Sequence, residues 1–263
     1  MFAEASAVRA GGGGTWKAEV QPDWDIFRVA NGGYLMAIAA RAMSEAAGGR
    51  LPVSLTAHFI RPISAGPLVV SVDLVKEGRT FSTMRATVTA SSDSVALLGS
   101  FAEPTPDVVD DLYVAGAPPE IPAPEDCLRA LPSPDGPLPP PLMAQFEERI
   151  HPEDAGPIQG RPSGNARMRG WFRLHDGEPL DVFTLLLTAD SFPPAVFNAD
   201  LPLAWTPTLE MTTQIRGIPA QGWLRCQFTT RFVRGGLLEE DGEIWDEAGH
   251  LVALSRQLAL VPR

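Results

Sequence analysis

Ser54 to Leu68 reads SLTAHFIRPISAGPL, and Leu209 to Trp223, about 155 residues further on, reads LEMTTQIRGIPAQGW. At that shift Ile60, Arg61, Ile63 and Ala65 fall on Ile215, Arg216, Ile218 and Ala220. The following strand-like segments also agree, with Lys76 on Arg231 and Arg79 on Arg234. A unit of this length seen twice indicates two copies of one domain, not a solenoid of many short repeats. The differences between the copies carry the functional information, because a duplicated fold needs only one working site.

Working outward from the repeat, each copy shows the same order of elements. In the first, Trp16 to Val20 reads as a strand, and Asn31, Gly32 and Gly33 precede the helix YLMAIAARAM, whose only charge before Met43 is Arg41. A helix apolar nearly all round belongs inside a core. Gly48 and Gly49 stop it. Four strand-like segments follow, Val53 to Arg61, Leu68 to Glu77, Phe81 to Ala90 and Val95 to Ala102, separated by Pro, Gly or Ser turns. In the second copy Ala166 to Leu174 is a strand, and Leu180 to Asp190, LDVFTLLLTAD, is an apolar helix. Thr208 to Arg216, Trp223 to Val233, Gly236 to Trp245 and His250 to Val261 are strands. One buried helix with antiparallel strands is an α+β layer pattern. Most of the 26 prolines lie between Pro104 and Pro162, a composition that sustains neither a regular helix nor a central strand. The expected division is therefore 1–103 for the first unit, 104–140 for an extended connector and 141–263 for the second unit. Gly11 to Gly14 reads as a flexible lead-in.

Composition narrows the function classes. The net charge is -11 with no Lys/Arg-rich run, which argues against nucleic-acid binding, since that needs a concentrated basic face. The start lacks a cationic segment followed by a long apolar core, and no apolar run reaches membrane-spanning length. Cys127 and Cys226 form no C-x-x-C pair, so neither a disulfide framework nor a zinc knuckle is expected. The plain expectation is a reduced, cytoplasmic protein without a membrane partner.

Several enzyme signatures are missing, among them the G-x-S-x-G elbow, the phosphate-binding loop, H-E-x-x-H and the dinucleotide fingerprint. The four histidines, His58, His151, His175 and His250, have no metal-ligand spacing, so no metal is expected. Asp190 stands out, a carboxylate at the end of an apolar stretch. Low polarity raises a carboxyl pKa toward the range of a general base. A bland alternative is an acid that faces solvent at a helix end. The first helix has no acid in the matching region, near Leu35.

The chain resembles the acyl-CoA thioesterase II (TesB-like) family. The resemblance rests on HFIRPISAGP and KEGRTFS in the first half and, in the second, on a water-holding Asp, Thr and Gln. These fall on Asp190 in LTADSF, Thr208 in TPTLEMTTQIR and Gln257 in LVALSRQLALV. The resemblance implies a double hotdog, two sheets each wrapping a central helix in one polypeptide. It implies hydrolysis of an acyl-CoA thioester to the free acid and coenzyme A, without cofactor or covalent intermediate. Asp190 would take a proton from water while Thr208 and Gln257 orient it. Gly32 and Gly33, at a helix start, are candidate oxyanion donors through their backbone N–H groups. Family precedent and exposed sheet edges imply homo-oligomer formation.

The sequence departs from the family where a His and aromatic residues usually follow the threonine; here stand Glu210, Met211 and Thr212. His58 is expected to be a satisfied structural histidine. Arg61, Arg79, Arg216 and Arg234, repeated in both copies, are expected to pair with acids at strand ends. Two rival functions remain: a hotdog enoyl-CoA hydratase, whose Asp–His pair finds only Asp181 and His175 here, and a non-catalytic acyl-CoA-binding module.

Overall fold

The computed structural model of the protein describes residues 1–104, 113–132, 139–199, 201 and 204–261. The chain opens with a short helix α1 (Phe2–Ala5), a hairpin of β1 (Arg9–Gly12) and β2 (Thr15–Val20), and a small hairpin of β3 (Asp25–Ile26) and β4 (Val29–Ala30). The glycine run is not a loose leader: Gly12 pairs with Thr15 across a tight turn in which Gly13 and Gly14 have φ of +59° and +74°. Two consecutive left-handed residues match the strand twist of a two-residue hairpin, which is why glycine stands there.

Helix α2 (Gly32–Ala46) follows, capped by Asn31, whose Oδ1 accepts the Tyr34 N–H. It is buried along almost its whole length, as its apolar surface demands. Strands β5 (Leu51–Phe59), β6 (Gly66–Glu77), β7 (Phe81–Thr89) and β8 (Asp93–Ala102) complete the first half. The second half contains β9 (Leu128–Arg129), β10 (Phe146–Ile150), β11 (Arg167–Leu174), helix α3 (Val182–Thr188), β12 (Thr208–Ile215), β13 (Leu224–Thr229), β14 (Val233–Arg234), β15 (Leu237–Trp245) and β16 (Leu251–Leu260). The stretch 104–140 expected as a connector thus supplies, among its described residues, one short strand, β9, to the edge of β10.

Apart from the β3–β4 hairpin, these strands form one 14-stranded sheet, ordered β1-β2-β6-β7-β8-β5-β12-β16-β15-β13-β11-β10-β9, with β14 beside β15. Alternate residues of β7 and β15 are buried, the period-2 pattern of a sheet with one face on a core. The two halves meet where β5 pairs antiparallel with β12, and Thr56 Oγ1 lies 2.8 Å from Thr212 Oγ1. The repeated stretches are therefore neighbours in space. Their antiparallel pairing relates the halves by a local two-fold, as in the expected double hotdog.

The two helices pack against each other in the shared core. Asp181 caps α3 in a capping box with Thr184, and its Oδ2 accepts a hydrogen bond from Arg41 of α2 at 3.1 Å. The one cation of α2 thus has a partner at the N-cap of α3. No helix among the described residues is long and apolar enough to cross a membrane. The repeated arginines do not pair with acids as expected: Arg61 donates to the Asp93 carbonyl and Arg216 to Gln214. Ion pairs on the sheet involve other arginines, among them Arg85, Arg169, Arg231 and Arg256. Arg61 and Arg216 lie just beyond the ends of β5 and β12.

Candidate active site

The site lies where the N-terminus of α2 meets the C-terminal end of α3. Helix α3 ends at Thr188, so Asp190 is not on the helix but in the turn just beyond it, half-buried. Its Oδ2 accepts hydrogen bonds from the Gly33 N–H and from Asn31 Nδ2, each at 2.9 Å. Asn31 Nδ2 also donates to the Asp190 carbonyl at 2.7 Å. One side chain therefore caps α2 through its oxygen and clamps Asp190 through its nitrogen.

Two effects act on this carboxyl in opposite directions. Burial penalises the ionised form, whereas the N–H groups of Gly33 and Gly32 and the Asn31 amide stabilise it. Burial wins, and the pKa is pushed up to about 6.

The glycines of α2 are required by this close approach. A Cβ at Gly32 would lie 2.8 Å from Phe59 Cζ and 3.0 Å from Asp190 Oδ2; one at Gly33 would collide with the Leu186 carbonyl of α3. The small size of Gly33 thus serves the junction of the two helices, and that of Gly32 leaves room for Phe59 and the Asp190 carboxylate. Both amides are turned toward the Asp190 carboxylate. An oxyanion role requires that carboxylate to release one of them.

Thr208 and Gln257 come from adjacent strands. Thr208 opens β12, and the register of β12 against β16 shifts between Thr208 and Glu210, a bulge of the kind that re-aims a side chain. The Thr208 hydroxyl donates to Gln257 Oε1 at 2.9 Å. Gln257 is only 8 % exposed, on the inward face of β16, so it is not the solvent-facing strand residue its sequence context allows. Its Nε2 donates to Glu240 Oε1 at 2.9 Å, and Glu240 Oε2 accepts the Ala195 N–H at 2.5 Å. Glu240 lies on β15 directly across from Gln257. Burial pushes its pKa up to about 7; the Ala195 and Gln257 donors oppose that shift, and the nearby Asp190 charge adds to it.

Asp190, Thr208, Gln257, Glu240, Asn31 and Gly32 all line one cavity of about 380 Å³, together with Phe59, Arg61, Ile63 and Trp205. The three side chains singled out in the sequence are thus brought together, although they come from one turn and two strands. Two further members, Asn31 and Glu240, carried no sequence signal of a site. Asn31 showed only as a residue preceding a helix. Glu240 is the middle one of three consecutive acids, Glu239 to Asp241, on one strand.

Other sequence candidates lie elsewhere. His58 is exposed and makes no side-chain hydrogen bond among the described residues, so it is not the satisfied structural histidine expected. On β5 its side chain falls on the outward face, where Glu210 of β12 stands opposite it. Asp181 is engaged in capping α3, and His175 Nε2 lies 2.9 Å from the Ala144 carbonyl, so these two do not form an acid–histidine pair. His151, Glu153 and Asp154 cluster closely enough for a metal, but Asp154 is bound to Arg167 and Arg169, and His151 Nδ1 accepts the Glu153 N–H. That donor set is already occupied by protein cations and an amide.

Known proteins match this architecture along nearly the whole chain. Residues 20–102 match the family model "Acyl-CoA thioesterase N-terminal domain" and residues 124–261 the model "Acyl-CoA thioesterase C-terminal domain". An uncharacterized protein of Mycobacterium tuberculosis is 28 % identical over 269 residues, covering 94 % of this chain and 91 % of the relative. The crystal structure of a "putative thioesterase II" from Thermobifida fusca superposes with a TM-score of 0.89 at 31 % identity, covering 100 % of this chain and 97 % of that one. A protein of unknown function with a hotdog fold, from Alicyclobacillus acidocaldarius, shares the fold at a TM-score of 0.84 and 21 % identity, covering 100 % of this chain and 98 % of that one. The chain belongs to the acyl-CoA thioesterase family, in its double-hotdog form.

Proposed function

We propose that the protein hydrolyses an acyl-CoA thioester by direct attack of water, with Asp190 as general base. The observation that carries this reading is a carboxyl tuned to about 6 in the same cavity as a Thr–Gln pair. A thiolate is a good leaving group, so the task is to orient one water and take its proton. Asp190 Oδ2 is held by Asn31 and Gly33, which leaves Oδ1 to receive that proton. The Thr208 hydroxyl donates to Gln257, so its lone pairs accept from water and fix the water's second direction.

Glu240 acts as a positioning residue. By accepting from Gln257 Nε2 it fixes which way the amide points and keeps Oε1 toward Thr208. The oxyanion donor in this reading is the N–H of Gly32, a residue that lines the cavity. As Asp190 takes up a proton it becomes a weaker acceptor, and an amide that served it is released to the negative charge growing on the thioester oxygen. The step balances: water gives its proton to Asp190, its oxygen bonds the acyl carbon, and the C–S bond breaks as the thiolate leaves and is protonated. The test is Asp190→Asn, followed by thiol release from a panel of acyl-CoAs. Loss of turnover by 10²-fold or more, about what a general base contributes, supports the assignment; an unchanged rate in a folded variant overturns it.

A further inference from the structure

We infer that the apolar cavity next to the catalytic one is the acyl-group site, and that it selects a compact, uncharged acyl group, aromatic or branched. The inference rests on the thioesterase reading above and names its substrate class. This second cavity has a volume of about 220 Å³. It shares Ile26, Phe192, Pro194, Trp205 and Thr206 with the catalytic cavity. Phe192 is two residues from Asp190, and Thr206 is two from Thr208. An acyl chain leaving a carbonyl held between those two side chains therefore reaches this cavity across the shared wall.

Its chemistry defines the guest. Among the described residues no charged side chain lines it. The hydroxyls of Ser191 and Thr206, the two among the described lining residues, already donate to the Thr188 and Ala204 carbonyls. A second carboxylate, as in a dicarboxylic acyl group, would lose its hydration there without meeting a cation among those residues. An apolar cavity of roughly 150 Å³ accepts benzene, so this one has room for a ring with a carbon or two beside it. Pro139, Pro140 and Pro157 supply part of the wall, and their fixed φ and short rings give little room to swing aside for a long chain.

The remaining wall is contributed by the first half. Phe27, at the tip of the β3–β4 hairpin, meets Trp205 edge-on, with ring centroids 5.6 Å apart and planes at 90°. To present it, Phe27 and Arg28 adopt φ of +53° and +66°, and Asp25 Oδ1 accepts the Arg28 N–H at 3.0 Å. Consecutive non-glycine residues in the left-handed region are costly and persist where their surroundings over-determine them.

The experiment measures kcat/KM of the full-length protein on acetyl-, isovaleryl-, phenylacetyl-, octanoyl-, palmitoyl- and succinyl-CoA. Isovaleryl- and phenylacetyl-CoA are expected to lead, with palmitoyl- and succinyl-CoA lower by tenfold or more. Ala204→Phe, which fills the cavity, is expected to lower the phenylacetyl-to-acetyl ratio by about tenfold. Trp205→Ala, which opens the shared wall, raises octanoyl relative to phenylacetyl. A preference for palmitoyl- or succinyl-CoA, or ratios unmoved in both variants, overturns the inference. Calorimetric binding of the same esters to Asp190→Asn separates the two claims. Absence of turnover in the wild type with the expected binding order removes the hydrolase reading and leaves the acyl site standing. A binding order led by palmitoyl- or succinyl-CoA removes the acyl site alone.

Discussion

Asp190 is held between opposing influences, and its titration makes the site open to measurement. If it is the base, activity must rise with pH through about 6, as the carboxylate forms. Stability runs the other way. A carboxyl raised above its ordinary value of 3.8 contributes stability that is complete below about pH 4 and lost as pH climbs through about 6. Asp190→Asn never ionises, so it should melt level with the wild type at pH 4 and higher at pH 8, by an amount corresponding to about 1–3 kcal/mol. A calorimetric scan at both pH values checks this, and a residue of purely structural value would show a loss at pH 8. Glu240→Gln leaves one oxygen to serve both Ala195 and Gln257, so the Gln257 amide loses its fixed orientation. We expect kcat to fall by about tenfold with KM little changed, against a general-base contribution of 10²–10⁴ for Asp190 itself; steady-state kinetics on both variants separates the roles. At this scale Asp190 stood out as a candidate, an acid ending an apolar run, whereas Thr208 and Gln257 were legible as candidates only through the family resemblance. Asn31 was not, because its partner lies 159 residues away. Glu240 was not, because only the register of β15 on β16 sets it against Gln257.

At the scale of elements, the site is a contact between two helix ends. Gly33 is the tightest point of that contact, and it is helical, so its value is lack of a side chain and not backbone freedom. Gly33→Ala should force α2 away from α3, lowering stability by about 1–3 kcal/mol, the usual cost of overpacking. Moving the Gly33 N–H off Asp190 should also lower kcat; urea denaturation and steady-state kinetics on one preparation measure both. Helices and strands were readable from hydrophobic periodicity, because a buried helix and half-buried strands leave different patterns. The end of α3 was not, since Ala189 and Asp190 prolong an apolar run although the helix stops at Thr188. The bulge between Thr208 and Glu210 left no mark either, because a bulge is a property of pairing and not of composition. The glycine-rich start misled in a related way. Glycine signals flexibility when free and a tight turn when its neighbours pair, and only the pairing of β1 with β2 decides between them.

For the whole molecule, duplication was the most legible fact, and its asymmetry was half visible. Both helices begin on a capping residue that reaches across to the other helix: Asn31 holds Asp190, and Asp181 holds Arg41. Where one crossing carries a proton acceptor, the other carries a fixed cation, and guanidinium does not give up its proton at working pH. The proposed mechanism therefore has one catalytic centre per chain, and Arg41→Ala should lower stability with a smaller effect on kcat than Asn31→Ala, as thermal melting and kinetics on the two variants will show. The joining of both halves through β5 and β12 was not visible, because the repeat reveals kinship between segments and not their adjacency. That join has a consequence for how the protein fails. In the proposed mechanism the base, Asp190, sits on one half, while the amides that seat it sit on the other, so that carboxyl is in place only while the halves are docked. The molecule contains an interlock: any loosening of the seam disarms the chemistry before either half needs to unfold. In a urea titration of the intact chain, thioester hydrolysis should vanish at or below the concentration that melts the far-ultraviolet circular dichroism, and never above it.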